Sequence, residues 1–225
     1  SLMPKFPTDF TTFVDLFSGG FNVGANIECQ KVVYNDISEE IMRLVKLFYK
    51  FNSNEIIEKL DYLIKKYKLS DSDSNGYEFY NCNSNNGLGS YNKKFFAKLR
   101  DDYNNSRKSI EKDFLFLLLT IYAFNNQIRF NGSGLYNMPI GKRDLNASMR
   151  KNIKLFSEKL KNRDIEFNSV SFEKIDFRKY ENPFFYCDPP YLLGTASYNE
   201  NGGWNEEKEI KLLGFLKSLS DNGIK

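Results

Sequence analysis

The sequence predicts an α/β protein with a doubly wound, Rossmann-like parallel sheet and an inserted, mainly helical subdomain. Residues 13–17 and 31–34 have the apolar composition of strands, and a glycine-containing turn with a helix starting near Asn22 is predicted between them. Residues 184–187 are typical of a strand buried on both faces, and this run ends abruptly at Asp188. In such sheets ligands bind at the carboxyl ends of the strands, so functional residues are expected there.

The composition indicates a folded protein and excludes several kinds of chemistry. Of the 225 residues, 41% are hydrophobic and 27% are charged, which is ordinary for a soluble domain. The chain has no histidine, which excludes Ser-His triads and histidine-based acid–base catalysis. The three cysteines, Cys29, Cys82 and Cys187, lack metal-ligand spacing, so neither a metal site nor a disulfide framework is expected.

Charge and hydropathy bear on partners and location. A net charge of +3 is too small to establish a nucleic-acid partner by itself. The longest apolar run, residues 114–124, is too short to cross a bilayer, and no leader-like segment opens the sequence. We therefore expect a cytoplasmic protein without a membrane partner.

The remaining elements follow from periodicity and turn residues. Helices are predicted over residues 38–48, 56–67, 114–124, 145–160 and 206–219, and strands over 166–170 and 184–187. Residues 70–90 are rich in Ser, Asn, Asp and Gly and are expected to be irregular. Residues 223–225 should begin another strand; because the sheet edge then needs more chain to cover it, we expect the sequence to be a fragment.

The tip of the last strand, Asp188-Pro189-Pro190-Tyr191, presents hydrogen-bond acceptors beside an aromatic ring. The two prolines have no N–H and cannot continue a ladder, which leaves carbonyl oxygens free to accept. Such a cluster suits an amino group on a flat ring. The alternative is an ordinary strand that ends in a turn, because Asp and Pro are common turn residues.

The turn after the first strand also has the composition of a ligand site. Gly19 and Gly20 lack Cβ atoms, so a ligand can lie against their backbone. The glycine spacing does not match a dinucleotide fingerprint, and Asp15 would repel a pyrophosphate but suits a cationic amine. Asp36 stands at the end of the next strand, where a carboxylate reaches ribose hydroxyls. Its alternative role is to cap the helix that follows.

Residues 13–24, 125–142 and 184–191 together resemble the adenine-N6 DNA methyltransferases of the Dam and DpnII type. The resemblance spans nearly the whole chain, and its most selective element is the Asp-Pro-Pro-Tyr tetrapeptide, the catalytic signature of that family. It implies transfer of a methyl group from S-adenosylmethionine to N6 of an adenine flipped out of double-stranded DNA, as in restriction–modification systems. It also implies a cofactor-binding catalytic domain at residues 1–50 and 165–225, and a target-recognition insertion at 51–164.

The resemblance assigns roles residue by residue. The catalytic residues are Asp188 and Pro189, which would accept the amine N–H groups, together with Pro190 and Tyr191, whose ring would stack on the base. The cofactor-binding residues are Asp15, Phe17, Ser18, Gly19, Gly20, Asp36, Ile37, Asp176, Phe177 and Asp188. The DNA-binding residues are Arg129, Asn131, Asn137, Lys142 and Arg143, the last two as phosphate ligands.

Several alternatives stay open. Asp176 is otherwise an exposed turn carboxylate, and residues 125–143 are otherwise a surface hairpin with solvated charges. Lys93, Lys94, Lys98 and Arg100 are better explained as the solvated face of an amphipathic helix than as a DNA patch. A cytosine-N4 or RNA-base methyltransferase is disfavoured by the Asp at position 188, and an inactive DNA-binding module is the rival from another class. Residues 1–12 lack the Lys- and Gly-containing cofactor motif of the family. We expect a monomer without a metal.

Overall fold

A computed structural model of the chain describes residues 3–191 and 204–225. The chain divides into two compact units, one formed by Ser1–Tyr49 and Lys159–Lys225 and the other by Lys50–Glu158. The first unit contains the sheet, and the second is mainly helical. No helix of the described ranges is long and apolar enough to span a membrane.

The first unit is built on a four-stranded sheet in the order β3-β2-β1-β4, with every neighbouring pair parallel. The predicted α/β class is confirmed. The strands are β1 (Thr12–Asp15), β2 (Lys31–Asn35), β3 (Asp164–Asn168) and β4 (Pro183–Tyr186). In this register Asp15 lies opposite Tyr34 on one side and Tyr186 on the other, so three strand ends meet at one edge.

Both faces of the central strands are covered, which explains their continuous apolar composition. On one face the ring of Phe184 lies 5.7 Å from Phe13 and 5.2 Å from Phe6, measured between centroids. On the other face Val14 and Phe185 belong to a core that includes Leu212 and Leu219, which lie on the helix Glu206–Asp221. The sheet is thereby held rigidly on both sides of the strand ends.

The helices are α1 (Glu39–Lys50), α2 (Ser53–Tyr67), α3 (Ser72–Asn75), α4 (Gly89–Asn105), α5 (Ile110–Tyr122), α6 (Ala147–Leu160) and α7 (Glu206–Asp221). Helix α2 begins with a capping box in which Asn52 and Glu55 satisfy each other's backbone N–H groups. Nine of the 13 residues of α5 are buried, as predicted for a helix that is apolar on nearly all sides.

The prediction of a helix that starts near Asn22 is wrong. Only a single 3-10 turn, Gly24–Asn26, follows the first strand, and Ile27 is already extended. The reason lies at Phe21, which is fully buried with a φ of 63°, a left-handed conformation that a continuing helix does not contain. The anchoring of this ring in the core sets the course of the turn.

The predicted strand bounds differ from the observed ones by a few residues. The first strand ends at Asp15 instead of residue 17, and β3 begins and ends two residues earlier than predicted. Cys187 lies just beyond β4. At the chain end the Phe185 N–H donates to the Lys225 carbonyl at 2.9 Å, so residue 225 lies alongside β4 although it is not part of a strand.

Candidate active site

Three carboxylates meet at the carboxyl edge of the sheet. Asp15 is the last residue of β1, Asp36 follows β2 directly, and Asp188 lies two residues beyond β4. The charges of Asp36 and Asp188 both act on Asp15 and raise its pKa further, so the three groups share one electrostatic environment. The sequence predicts that these acids lie near one another only because parallel strands end at the same edge of a sheet. The observed strands are parallel and do end at one edge.

The Asp15 side chain is almost completely buried. The residue is 2% exposed, and its Oδ2 accepts a hydrogen bond from the Gly24 N–H at 3.2 Å. Burial is the main cause that raises the pKa of Asp15 to about 7; the Gly24 hydrogen bond opposes the rise, and repulsion by Asp36 and Asp188 adds to it. Asp15 makes no ion pair within residues 3–191 and 204–225. A cationic amine in contact with this buried carboxylate would stabilise its charged form.

The glycine turn is tied to the next strand by two hydrogen bonds. The Gly19 N–H donates to Asp36 Oδ2 at 2.9 Å, and the Tyr34 hydroxyl donates to the Gly19 carbonyl at 2.9 Å. Gly19 has a φ of 48°, and a Cβ there would meet no atom within 4 Å. The turn therefore faces open space, as expected for a surface against which a ligand lies.

Asp36 also performs the capping role that the sequence left open. Its Oδ1 accepts the Ser38 N–H at 2.8 Å, just before α1 begins, while its Oδ2 holds Gly19. Burial raises the pKa of Asp36, and these two hydrogen bonds oppose the rise. The next residue, Ile37, is 75% exposed, so an apolar side chain stands free beside the carboxylate.

Asn35 is a residue of this edge that sequence reasoning missed. It is 1% exposed, and its Nδ2 donates to the carbonyls of Leu16 at 3.0 Å and Val170 at 3.2 Å. Its Oδ1 accepts the Val170 N–H at 3.3 Å, and the Ser18 hydroxyl accepts its backbone N–H at 3.0 Å. Asn35, at the end of β2, thus connects the residues that follow β1 with those that follow β3. The only signal in the sequence was an amide at a strand end, and its partner at position 170 was not visible.

The Asp188 to Tyr191 segment projects from the end of β4. Asp188 is exposed, and Tyr191 is 76% exposed. Burial, the charges of Asp188 and Asp15, and a hydrogen bond to Asp188 raise the pKa of the Tyr186 phenol. Burial raises the pKa of the Cys187 thiol to about 12, which makes Cys187 an inert neighbour. The tip therefore presents a carboxylate and an accessible aromatic ring.

Two of the predicted cofactor-binding residues, Asp176 and Phe177, contact neighbouring residues of the first unit. Asp176 is exposed, caps the 3-10 turn Phe177–Lys179, and forms an ion pair with Arg178 at 2.8 Å. Hydrogen bonds from Arg178 lower the pKa of Asp176. Phe177 packs against the α7 residue Phe215, with ring centroids 6.3 Å apart. The structure thus gives Asp176 the exposed turn position that was its alternative.

Phe17 of the cofactor set lies in the turn after β1 and packs against two aromatic rings. Its centroid is 5.7 Å from that of Phe172 and 5.5 Å from that of Trp204. Ser18 supports the same turn, because its hydroxyl donates to the Asp15 carbonyl at 2.7 Å. Both residues shape the wall beside Asp15.

In the second unit, the segment after α5 forms the predicted hairpin. An antiparallel bridge joins Phe130 to Tyr136. The Arg129 guanidinium donates to Asn137 Oδ1 at 2.7 Å and to the Asn137 carbonyl at 3.1 Å. Asn131 Oδ1 accepts the N–H groups of two turn residues, at 2.9 and 3.1 Å. Three of the predicted DNA-binding side chains, Arg129, Asn131 and Asn137, thus hold the hairpin in shape.

Lys142 and Arg143 follow the hairpin and are exposed. The Lys142 carbonyl accepts the Leu88 N–H at 2.8 Å, which fixes the backbone at this point. Neither side chain forms an ion pair among the residues that the structure describes. Their charges are therefore available to an anionic partner.

Asp144, next to these cations, is an internal support that the sequence did not reveal. It is 1% exposed and accepts hydrogen bonds from the Ser70 hydroxyl at 2.9 Å and from the N–H and hydroxyl of Ser72 at 2.8 and 2.7 Å. Asn92 of α4 joins this network through Ser70. The carboxylate anchors the end of the hairpin segment in the second unit.

Within the described ranges no group of three or more His, Cys, Asp or Glu side chains is arranged to hold a metal ion. The residues that fit a bound organic group are those of the carboxyl edge. A positively charged amine is matched by Asp15, hydroxyl groups by the Asp36 carboxylate, and a flat apolar ring by Ile37.

A family model described as D12 class N6 adenine-specific DNA methyltransferase matches residues 1–225. The chain is 34% identical over 230 residues to the type II methyltransferase M.FokI of Planomicrobium okeanokoites, an alignment that covers 99% of this chain. It is 31% identical to modification methylase StsI of Streptococcus sanguinis over an alignment of 231 residues that covers 100% of this chain. The chain spans 32% of the length of each of these relatives. It is 24% identical over 209 residues to a DNA adenine methylase of Salmonella typhi, covering 93% of this chain and 66% of that protein.

Proposed function

The chain belongs to the D12 class N6 adenine-specific DNA methyltransferase family, and we propose that it transfers a methyl group from S-adenosylmethionine to the N6 amino group of an adenine in double-stranded DNA. The family resemblance predicted from residues 13–24, 125–142 and 184–191 is confirmed by this membership. The observation that carries the proposed activity is the meeting of Asp15, Asp36 and Asp188 at one sheet edge.

The cofactor is assigned to the Asp15 and Asp36 side of the edge. Asp15 is proposed to bind the α-amino group of S-adenosylmethionine, because a buried carboxylate is stabilised as an anion by a cation in contact with it. Asp36 is proposed to accept the ribose hydroxyls, and the exposed Ile37 side chain to cover one face of the adenine ring. When bound there, the cofactor supplies an electrophilic methyl group.

Asp188 is assigned the chemical step. The lone pair of an exocyclic adenine amine is delocalised into the ring, so the amine is a weak nucleophile. Asp188 and the Pro189 carbonyl are proposed to accept its two N–H groups, which localises the lone pair on nitrogen and orients the amine. The negative charge of Asp188 also stabilises the positive charge that develops on nitrogen. Tyr191, with its ring 76% exposed, is proposed to stack on the flipped base.

DNA binding is assigned to the second unit. Lys142 and Arg143 are proposed to contact phosphates, since both are exposed and neither forms an ion pair in the described part of the chain. Arg129, Asn131 and Asn137 are proposed to act by holding the hairpin that approaches the DNA. Action as a monomer in the cytoplasm belongs to the same proposal.

Product analysis tests the proposed function. The protein is incubated with DNA and isotopically labelled S-adenosylmethionine, and the DNA is digested to nucleosides for mass spectrometry. Label in N6-methyladenine is expected, and Asp188→Ala is expected to abolish it. Asp221→Ala is the matched control, because Asp221 is an exposed acid of the same unit that pairs with Lys217 in its own helix. Label in N4-methylcytosine, or DNA binding without any transfer, would contradict the proposal.

A further inference from the structure

The single helical turn after β1, Gly24–Asn26, has few hydrogen bonds of its own. The Asn26 N–H donates to the Val23 carbonyl at 2.9 Å. The Ile27 N–H donates to the Gly24 carbonyl at 3.4 Å, which is longer than the usual range of about 2.7 to 3.2 Å. So short a turn is not stable in isolation, because its last carbonyls find no partners within it. The position of this Gly24 turn therefore depends on contacts with other parts of the first unit.

Arg163 supplies partners for two carbonyls of the Gly24 turn. Its Nη1 donates to the Gly24 carbonyl at 3.1 Å, and its Nη2 donates to the Ile27 carbonyl. Because the Gly24 N–H donates to Asp15 Oδ2, Gly24 is held on both sides, by Arg163 through its carbonyl and by Asp15 through its N–H. Two successive hydrogen bonds thus connect the guanidinium with the buried carboxylate.

The Arg163 side chain is half-buried and forms no ion pair with a carboxylate in residues 3–191 and 204–225. Burial lowers the pKa of Arg163, and the nearby Cys29 thiol and Glu28 carboxylate oppose this effect only in part. The carbonyls of the Gly24 turn therefore help to stabilise a cation that is partly removed from water. In return the cation fixes the turn.

The backbone of Arg163 is itself anchored. The preceding residue, Asn162, has a φ of 57°, and the following residue, Asp164, pairs with Lys31 in the sheet. The Tyr49 hydroxyl donates to the Arg163 carbonyl at 3.2 Å. The guanidinium thus reaches the Gly24 turn from a backbone that is fixed in the first unit.

A second cation of the same segment contacts the turn. The Lys159 ammonium donates to Asn26 Oδ1, and Asn26 Nδ2 donates to the Asn22 carbonyl at 2.7 Å. Lys159 is exposed, so water competes for its hydrogen bond. Of the two cations, the half-buried Arg163 is the one expected to fix the turn.

We infer that Arg163 is a positioning residue for the proposed cofactor site, which fixes the Gly24 turn so that the Gly24 N–H stays on the Asp15 carboxylate and keeps it charged for the amine of S-adenosylmethionine. Arg163 forms no ion pair with Asp15, and it acts through Gly24. The inference rests on the proposed function, since it takes Asp15 to bind that amine.

The pH dependence of stability tests the link between Arg163 and Asp15 without any cofactor. A hydrogen bond to a carboxylate lowers its pKa, so loosening of the Gly24 bond should raise the pKa of Asp15 above about 7. The free energy of unfolding falls with rising pH up to this folded-state pKa. In Arg163→Met, which keeps an apolar stem, the fall should continue for about one pH unit more. The variant should therefore lose more stability at pH 8.5 than at pH 5.

A second substitution separates Asp15 from its neighbours. Among the described residues, the ionisable side chains that interact with Asp15 are those of Asp36, Asp188, Tyr34, Tyr186 and Cys187. The two phenols and the thiol have raised pKa values and stay neutral near pH 7, which leaves the two acids. Arg163→Met is therefore repeated in the Asp15→Asn background, where its effect on the pH profile should disappear.

Cofactor affinity is then measured by titration calorimetry with S-adenosylmethionine at pH 6.5 and pH 8.5. If the pKa of Asp15 rises by about one, its charged fraction falls about eightfold at pH 6.5 but less than about 1.5-fold at pH 8.5, and affinity should follow. Arg43→Met is the matched control, because Arg43 is a half-buried arginine of the same unit that lies 3.8 Å from Glu39 in its own helix. Arg43→Met should change neither affinity.

Arg163→Lys provides a second variant, which also decides the test if Arg163→Met does not fold. A lysine keeps the charge but cannot bond both carbonyls as a fork, so its pH profile should lie between those of the unaltered protein and Arg163→Met. An unchanged profile in Arg163→Lys, an equal loss of affinity at both pH values, or a shift that persists in the Asp15→Asn background overturns the inference.

The two proposals fail in different ways. A pH profile that depends on Arg163 through Asp15, in a protein that does not bind S-adenosylmethionine, would sustain the link between these residues and contradict the proposed function. Cofactor binding and methyl transfer that are independent of Arg163 at both pH values would do the reverse.

Discussion

The Gly24 N–H reaches the buried Asp15 carboxylate because Gly24 has no side chain. The N–H donates to Asp15 Oδ2 at 3.2 Å, and a Cβ on Gly24 would lie 2.1 Å from Cε2 of Phe21. The Phe21 ring is fully buried and lies 5.2 Å from the ring of Tyr34, so it cannot move aside. One glycine thus permits both the packing of the turn and a backbone hydrogen bond to the Asp15 carboxylate.

Gly24→Ala is therefore expected to destabilise the protein. Overpacking a core that cannot relax costs about 1 to 3 kcal/mol, which urea denaturation would detect as a lower midpoint. Gly20→Ala is the control in the same turn, because its nearest neighbour is Asn22 Nδ2 at 3.6 Å. Gly214→Ala in α7 meets no atom within 4 Å and should stabilise the protein by about 0.5 to 1 kcal/mol. Equal stability of all three variants would show that a side chain on Gly24 does not clash with Phe21.

The pKa of Asp15 predicts how stability depends on pH. Because the folded-state pKa is raised from 3.8 to about 7, the folded protein binds more protons than the unfolded chain between these values. The free energy of unfolding should then fall as pH rises from about 4 to about 7 and should level off above.

Asp15→Asn should remove part of this slope. At pH 8 the variant is expected to be more stable than the unaltered protein by up to about 4 kcal/mol, and near pH 4 the difference should vanish. Burial raises the pKa of Asp36 as well, so some slope remains in the variant. Urea denaturation at a series of pH values measures the effect, and an unchanged pH profile would show that Asp15 is not protonated in the folded state.

Removal of the Asn104 amide tests the support of the hairpin. Asn104→Ala loses both hydrogen bonds to the Tyr136 backbone and leaves these groups unpaired, at a cost of about 1 to 3 kcal/mol. Asn105→Ala is the matched control, since the Asn105 side chain donates to the Asp101 carbonyl of its own helix. We expect Asn104→Ala to weaken DNA binding while cofactor affinity, measured by calorimetry, stays the same. A loss of both affinities would indicate general unfolding instead.

The carboxyl-edge acids could be predicted from the sequence, whereas the residues that hold them could not. Asp15, Asp36 and Asp188 each lie at or just beyond the end of an apolar strand, and parallel strands bring such ends together. Asn35 and Asn104 gave no comparable signal, because their partners lie 135 and 32 residues away. A helix is predicted from near Asn22, after the turn that follows β1, because nothing in the sequence marks the positive φ of Phe21.

Lys142 and Arg143 are expected to bind DNA through its phosphates. Changing both to Ala should weaken binding to all sequences and should reduce the slope of log affinity against log salt by about two units. Lys65 and Lys66 of α2 provide a control pair with the same change in net charge, since both are exposed in the same unit. Loss of affinity for one sequence only would show that the pair contacts bases. If the control pair had an equal effect, the loss of affinity would be explained by net charge alone and not by contacts of Lys142 and Arg143.

The single-turnover rate of methyl transfer in Asp188→Asn tests the central claim most directly. The amide has nearly the same size and suits the same turn, but it lacks the negative charge that stabilises positive charge developing on the adenine nitrogen. The rate is predicted to fall by about two to three orders of magnitude, while affinities for cofactor and DNA change much less. Asp221→Asn should leave the rate unchanged. A near-normal rate in Asp188→Asn would contradict the proposed role of the Asp188 carboxylate, whatever else the protein methylates.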